Sequence, residues 1–231
     1  MSPSNIEILA YEPSPLGPLC LRRRSLLSEP GPVVTEITLN HEFLMSSLHT
    51  ASERALASGA LEMHEGRDLR ALVGGLGLGY TAHEILASDR VSHVEVIEFL
   101  PQVIDWLRRG LLPLSGELNG DPRFGPVQGD VYESLLRPPG RRFDVILIDV
   151  DHSPDENPAA PNDAFYTEAG LMRAREHLEA DGVLGVWSAS ESPPFAAVLG
   201  RVFAEARDEP VTFRNRHVGE QQTDWLFFAR R

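Results

Sequence analysis

Apolar positions divide the chain into two stretches of different rhythm. Up to about residue 40, short apolar runs are separated by turn formers: Ile6-Glu-Ile-Leu-Ala-Tyr11 and Leu19-Cys-Leu-Arg-Arg23 flank Glu12-Pro-Ser-Pro-Leu-Gly-Pro18, and Val33-Val-Thr-Glu-Ile-Thr-Leu39 follows Pro30-Gly-Pro32. This predicts a hairpin and a third strand, too little to form a core alone, so the extension must pack on the main domain or on another subunit. From His41 to Leu61 the apolar residues Phe43, Leu44, Leu48, Ala51, Ala55 and Leu56 recur at helical spacing, which predicts a bridging helix. Its polar members Glu42, Ser46, Ser47, His49, Ser52 and Glu53 are read as a solvated face rather than a cleft wall.

Beyond that helix, strand-like and helix-like segments alternate. Strands are predicted at the run ending in Leu72-Val-Gly74, at His93–Phe99, at Phe124–Asp130, at Phe143–Asp149 and at Val183–Trp187. Helices are predicted after the glycines at Tyr80, at Leu100–Arg108, at Glu168–Leu178 and at Phe195–Ala206, with a terminal antiparallel hairpin from Val211–Arg214 and Asp224–Ala229. Such alternation implies an α/β fold with a mostly parallel sheet covered on both faces. The expected division is an extension over residues 1–40, the bridging helix over 41–64, and a Rossmann-like domain over 65–231.

Composition removes several function classes. A net charge of -13 argues against nucleic acid, whose phosphates require a basic surface, and is compatible with a cationic substrate. All 21 residues counted as lysine plus arginine are arginine, so Schiff-base chemistry and a Walker P-loop drop out. The single cysteine, Cys20, excludes internal disulfides and CxxC metal sites. No run approaches the roughly 18 apolar residues of a membrane span, and the N-terminus lacks a signal pattern, so a cytoplasmic protein with no membrane partner is expected.

Candidate chemistry gathers around Gly74-Gly-Leu-Gly-Leu-Gly79. Gly75, Gly77 and Gly79 let the backbone bend between strand and helix and allow a ligand to lie against it at a helix N-terminus. About 20 residues on, Glu98 ends the next strand, where a Rossmann-like sheet places its ribose-hydroxyl acceptor. Asp130, after Gly129, and Asp149 end the following two strands. All three carboxylates should face one crevice, Glu98 on ribose, Asp130 on the adenine amine and Asp149 beside the reacting centre. The Gly-x-Gly-x-Gly spacing favours an adenosine with a sulfonium tail over a dinucleotide.

The run from Gly74 to Gly182 resembles the spermidine synthase family of polyamine aminopropyltransferases, which has the class I S-adenosylmethionine-dependent methyltransferase fold. The residues that carry the resemblance are the glycine turn with Glu84, Val96-Ile-Glu98 with Pro101 and Val103-Ile104, Asp121-Pro-Arg123, Gly129-Asp130, Phe143-Asp-Val-Ile-Leu-Ile-Asp149, Phe165-Tyr166 and Asp181-Gly182. The resemblance implies that Glu98 binds ribose, that Asp130 and Val131 hold the adenine, and that Asp149 is the aspartate receiving the amine proton. With the β extension it also points to a homodimer.

The chain departs from the family on the diamine side. Leu78 stands where the family's glycine turn carries an acid for the aminopropyl ammonium. Asp149-Val-Asp-His-Ser-Pro154 replaces Asp-Ser-Ser-Asp-Pro, with His152 at the second aspartate. Asp149, Asp151 and His152 are the candidate catalytic groups, and residues 155–163 have the composition of a lid. Loss of the acid at position 78 removes a repulsion against the carboxylate of S-adenosylmethionine, so the expectation is methyl transfer from that donor to a small-molecule acceptor, with no metal. Aminopropyl transfer from decarboxylated S-adenosylmethionine to an amine is the alternative, and a non-catalytic adenosine-binding regulator is a second. A nicotinamide oxidoreductase is disfavoured by the glycine spacing, and a metal hydrolase by the lack of a further ligand.

Overall fold

The computed structural model describes residues 5–25, 33–150, 163–215 and 220–231. Two sheets account for its strands. The N-terminal sheet is an antiparallel meander of β1 (Ile6–Ser14), β2 (Gly17–Ser25), β3 (Val33–Leu39) and β4 (Glu42–Ser46). The last of these corrects the helix predicted from His41. Asn40 and His41 both take positive φ, 50° and 69°, forming a two-residue turn that folds Glu42 back against Leu39. Helical spacing of apolar residues had run across a hairpin, and helix α1 begins only at Ala51, ending at Met63.

The main sheet has seven strands. In chain order β5 is Leu69–Gly74, β6 Val91–Glu98, β7 Phe124–Gln128, β8 Phe143–Ile148, β9 Leu178–Ser188, β10 Glu205–Arg214 and β11 Gln221–Arg230; in space the order is β10-β11-β9-β8-β5-β6-β7. The strands from β5 to β9 are parallel, and β11 and β10 join antiparallel. The terminal hairpin is longer than predicted, because the helix expected over Phe195–Ala206 stops at Val202 and Glu205 already belongs to β10.

Period-two alternation explains why this sheet is buried on both faces. Ala71, Val73, Val145, Leu147, Leu226 and Phe228 point into one core. Leu72, Ile146, Ile148, Leu184, Val186 and Phe227 point into the other. The first core is covered by α1, α2 (Tyr80–Leu86) and α3 (Pro101–Arg108), and it also takes in Leu19, Leu21 and Ile37 of the N-terminal sheet. The extension therefore packs on the main domain. Polar contacts also hold it there: Trp106 Nε1 donates to Glu12 Oε1 at 2.9 Å, Arg109 pairs with the same carboxylate at 3.6 Å, and Gln102 Nε2 donates to the Pro13 carbonyl at 2.7 Å. Within the extension the fully buried carboxylate of Glu36 lies between Arg22 and Arg24, at 2.9 and 2.7 Å. The second core is covered by α5 (Val131–Leu136), α6 (Asp163–Tyr166), α7 (Glu168–Glu176) and α8 (Pro193–Val202). A short helix, α4 (Ser115–Gly120), completes the set of described helices, none of which is long and apolar enough to cross a membrane.

Candidate active site

The strand order makes the crevice. β5 lies between β6 and β8, so the glycine turn that follows it stands between the ends of those two strands. Backbone hydrogen bonds lace the tips of β5, β6, β7 and β8 together: Gly75 N to Ile97 O at 2.9 Å, Asp149 N to Gly74 O at 2.8 Å, and Gly129 N to Glu98 O at 3.0 Å. This approach explains Gly75. A Cβ there would lie 2.0 Å from the Asp149 carbonyl oxygen, and its φ is 93°.

A cavity of about 470 Å³ opens over these tips, within the ~300–1,000 Å³ range of small-molecule sites. Gly75, Gly77, Glu98, Gly129, Asp130, Val131 and Asp149 all line it, whereas Gly79, also expected there, does not: it caps α2 at φ 91°, packed where a Cβ would lie 2.6 Å from Leu118 Cδ1. Leu16, Ile37, Leu39, Leu44 and Met45 of the N-terminal sheet form another wall. The extension is thus part of the site, a role its sequence did not reveal.

Each carboxylate is set differently. Glu98 is 7% exposed; its Oε2 accepts from Leu76 N and its Oε1 from Leu100 N, both at 2.8 Å. Burial pushes this carboxyl above its ordinary range, against the opposing pull of the backbone donors around it. Asp130 is the N-cap of α5, its Oδ1 accepting from Tyr132 N at 2.8 Å and Glu133 N at 3.1 Å. One oxygen is thereby committed to the helix, and Oδ2 has no protein partner among the described residues. Asp149 accepts at Oδ2 from the Thr81 hydroxyl, which the first turn of α2 presents to the strand tip.

Two expectations need revision, and a third falls where it is not tested. Leu78 is fully buried in the first core and does not line the cavity, so it is not the wall residue that the methyl-transfer argument required. Glu53, assigned to a solvated face, lines the cavity instead, because α1 packs its inner side on α2 and on β8, β9 and β11. Its Oε2 lies 3.2 Å from Ser52 Oγ, whose single proton goes to Asp224 Oδ2 at the shorter distance of 2.7 Å. Burial, and then the negative charge of Asp149, push Glu53 up to about 8. No sequence motif marked this residue; its position in the first turn of an amphipathic helix was the only signal. Finally, Asp151, His152 and most of the proposed lid lie outside the described residues. Among the described residues no group of three or more potential ligands is placed to hold a metal.

No family model matches the chain. Among curated proteins it is 32% identical over 124 residues to polyamine aminopropyltransferase 2 of Streptomyces coelicolor, a match covering 52% of this chain and 22% of that protein. It is 29% identical over 115 residues to the polyamine aminopropyltransferase of Ruegeria sp., covering 50% of this chain and 38% of the relative. The matches thus span well under half of either relative's length. Spermidine synthase from Thermotoga maritima superposes with a TM-score of 0.72 at 20% identity, over 96% of this chain and 72% of that one. A spermidine synthase structure in complex with the transition-state analogue AdoDATO gives the same values. The chain thus shares the class I methyltransferase-like fold of the spermidine synthase structures and, over about half of its length, sequence likeness to polyamine aminopropyltransferases.

Proposed function

We propose that the protein is a transferase that moves the aminopropyl group of decarboxylated S-adenosylmethionine onto a small amine. The observation that carries this reading is the division of acids in the cavity. Glu98 and Asp130 stand on the β6 and β7 side of the glycine turn, where the nucleoside is expected, and Asp149 and Glu53 stand on the β8 side, beyond the sulfonium. A donor bearing a carboxylate would present it to that second pair, whereas a decarboxylated donor and a cationic acceptor bring positive charge. This reverses the preference drawn from Leu78, and the named activities of the curated relatives agree with the reversal.

The chemistry asked of the chain is modest. Glu98 accepts from the ribose hydroxyls and Asp130 Oδ2 from the adenine amine, which fixes the sulfonium end of the donor over the glycine turn. The acceptor nitrogen attacks the sulfonium-bound carbon in line, the carbon–sulfur bond breaks, and the electron pair leaves with sulfur as a neutral thioether. Asp149 takes the proton released from the attacking nitrogen. The thioether product is methylthioadenosine.

Calorimetric titration of the purified protein with decarboxylated S-adenosylmethionine, S-adenosylmethionine, methylthioadenosine and NAD tests the reading. Tighter binding of the decarboxylated donor than of S-adenosylmethionine is expected; the reverse order would overturn it. Asp149→Asn should lower turnover by about 10²- to 10⁴-fold with donor affinity nearly unchanged.

A further inference from the structure

Glu53 is a half-buried acid with a second acid close by and, among the described residues, no basic partner. The charged groups packed about α1 are otherwise engaged. Arg54 pairs with Glu84 at 2.8 Å and lies over the Tyr80 ring, and Arg207 lies over Phe228. Asp224, on β11, and Asp149, at the end of β8, add negative charge near Glu53. Buried carboxylates are ordinarily paired, because removing the charge from water is costly without a compensating cation. Among the described residues, the protein sets the hydroxyl of Ser52 beside Glu53 and no cation. What Glu53 does face is the cavity, together with Asp149 and Trp187, an aromatic surface of the kind that accepts cations.

We propose that Glu53 is the acceptor-recognising carboxylate, contacting the ammonium form of the incoming amine beside Asp149. The inference rests on the aminopropyl-transfer reading and specifies which residue selects the acceptor. It gives the amine two carboxylates with different tasks. Glu53 binds the cation and draws it to the wall on the β8 side of the glycine turn, and Asp149 takes one proton from that ammonium, freeing the lone pair with which the nitrogen attacks. Burial and the charge of Asp149 favour the protonated form of Glu53 in the empty site, and an arriving cation favours its ionised form, with release of a proton to solvent. The nearby Asp224 does not line the cavity and acts on Glu53 only through Ser52 and through its charge.

The experiment compares wild-type protein with Glu53→Gln, using decarboxylated S-adenosylmethionine as donor and 1,4-diaminobutane as acceptor probe. Loss of a charged contact should raise KM for the amine about 10- to 100-fold while kcat changes less and donor affinity is retained. Amine titrations in two buffers of different ionisation enthalpy should show fewer protons released by the variant than by wild type. Wild-type turnover with an unchanged amine KM in Glu53→Gln would overturn the role of Glu53 alone. So would parallel loss of donor and acceptor affinity, which marks a merely structural residue. A wild-type protein that neither binds nor alkylates the amine would sink the transfer reading, and this inference with it.

Discussion

Replacing Gly75 by alanine tests the crevice at its tightest point. The added Cβ would lie 2.0 Å from the Asp149 carbonyl oxygen, and that oxygen is backbone, so it cannot swing aside as a side chain could. The residue would also be held at φ 93°, in the region L-residues avoid, at a cost of roughly 1–2 kcal/mol. Relieving the clash must part the tips of β5 and β8. That threatens two backbone hydrogen bonds, Asp149 N to Gly74 O and Gly75 N to Ile97 O, each contributing about 1 kcal/mol net. A loss of about 3–4 kcal/mol follows, against a typical domain stability of roughly 5–15 kcal/mol. Urea unfolding gives the stability, and titration with methylthioadenosine shows whether the separated tips still hold a nucleoside. Gly140→Ala is the control, since a Cβ there meets nothing within 4 Å, and it should be close to neutral. A Gly75→Ala loss below about 1 kcal/mol with unchanged nucleoside affinity would refute the picture of laced strand tips.

Two further perturbations separate structural from ligand-binding roles. Asp130→Ala should lose about 1 kcal/mol by uncapping α5 and weaken nucleoside binding as well, whereas Asp130→Asn should keep the cap and lose only binding; equal stability losses in the two variants would count against this division. For Glu53, an acid pushed from 4.5 to about 8 binds more protons folded than unfolded, so its contribution to stability is complete below pH 4.5 and is lost as pH rises toward 8. Glu98 and Asp224, also raised by burial, act in the same direction. Relative to wild type, Glu53→Gln should therefore gain a few kcal/mol between pH 5 and about pH 8.5 in urea unfolding, and parallel pH profiles would show that the carboxyl is not held protonated by the fold.

Much of the site was legible before any coordinates because its signals are local. A glycine that must turn at the end of a strand, and an acid at a strand's last position, are each set by neighbours a few residues away, and period-two apolar runs mark strands buried on both faces. Glu98, Asp130 and Asp149 could therefore be assigned to one crevice from their order alone. The helical spacing over 41–61 misled for a related reason: apolar residues at helical intervals fit a hairpin equally well, and the decision fell to the positive φ of Asn40 and His41. Leu78 misled because its neighbours said nothing about which way its side chain would point.

Tertiary structure decided what depends on residues distant in the chain. The antiparallel meander of the N-terminal sheet brings β3 and β4 over the cavity, and docking on Trp106 and Gln102 holds the extension against the main domain. The sheet order places β5 between β6 and β8, and so puts Glu98 and Asp130 on one side of the glycine turn and Asp149 on the other. Glu53 reaches the Asp149 side only because α1 packs across β8, β9 and β11, partly burying a carboxylate whose local sequence is that of a solvated helix. Sequence by itself determined most of the strands, the turn and the three strand-end carboxylates, since backbone preference and periodicity act over a few residues; the fourth carboxylate and the cavity came from packing, because burial is a property of the whole fold.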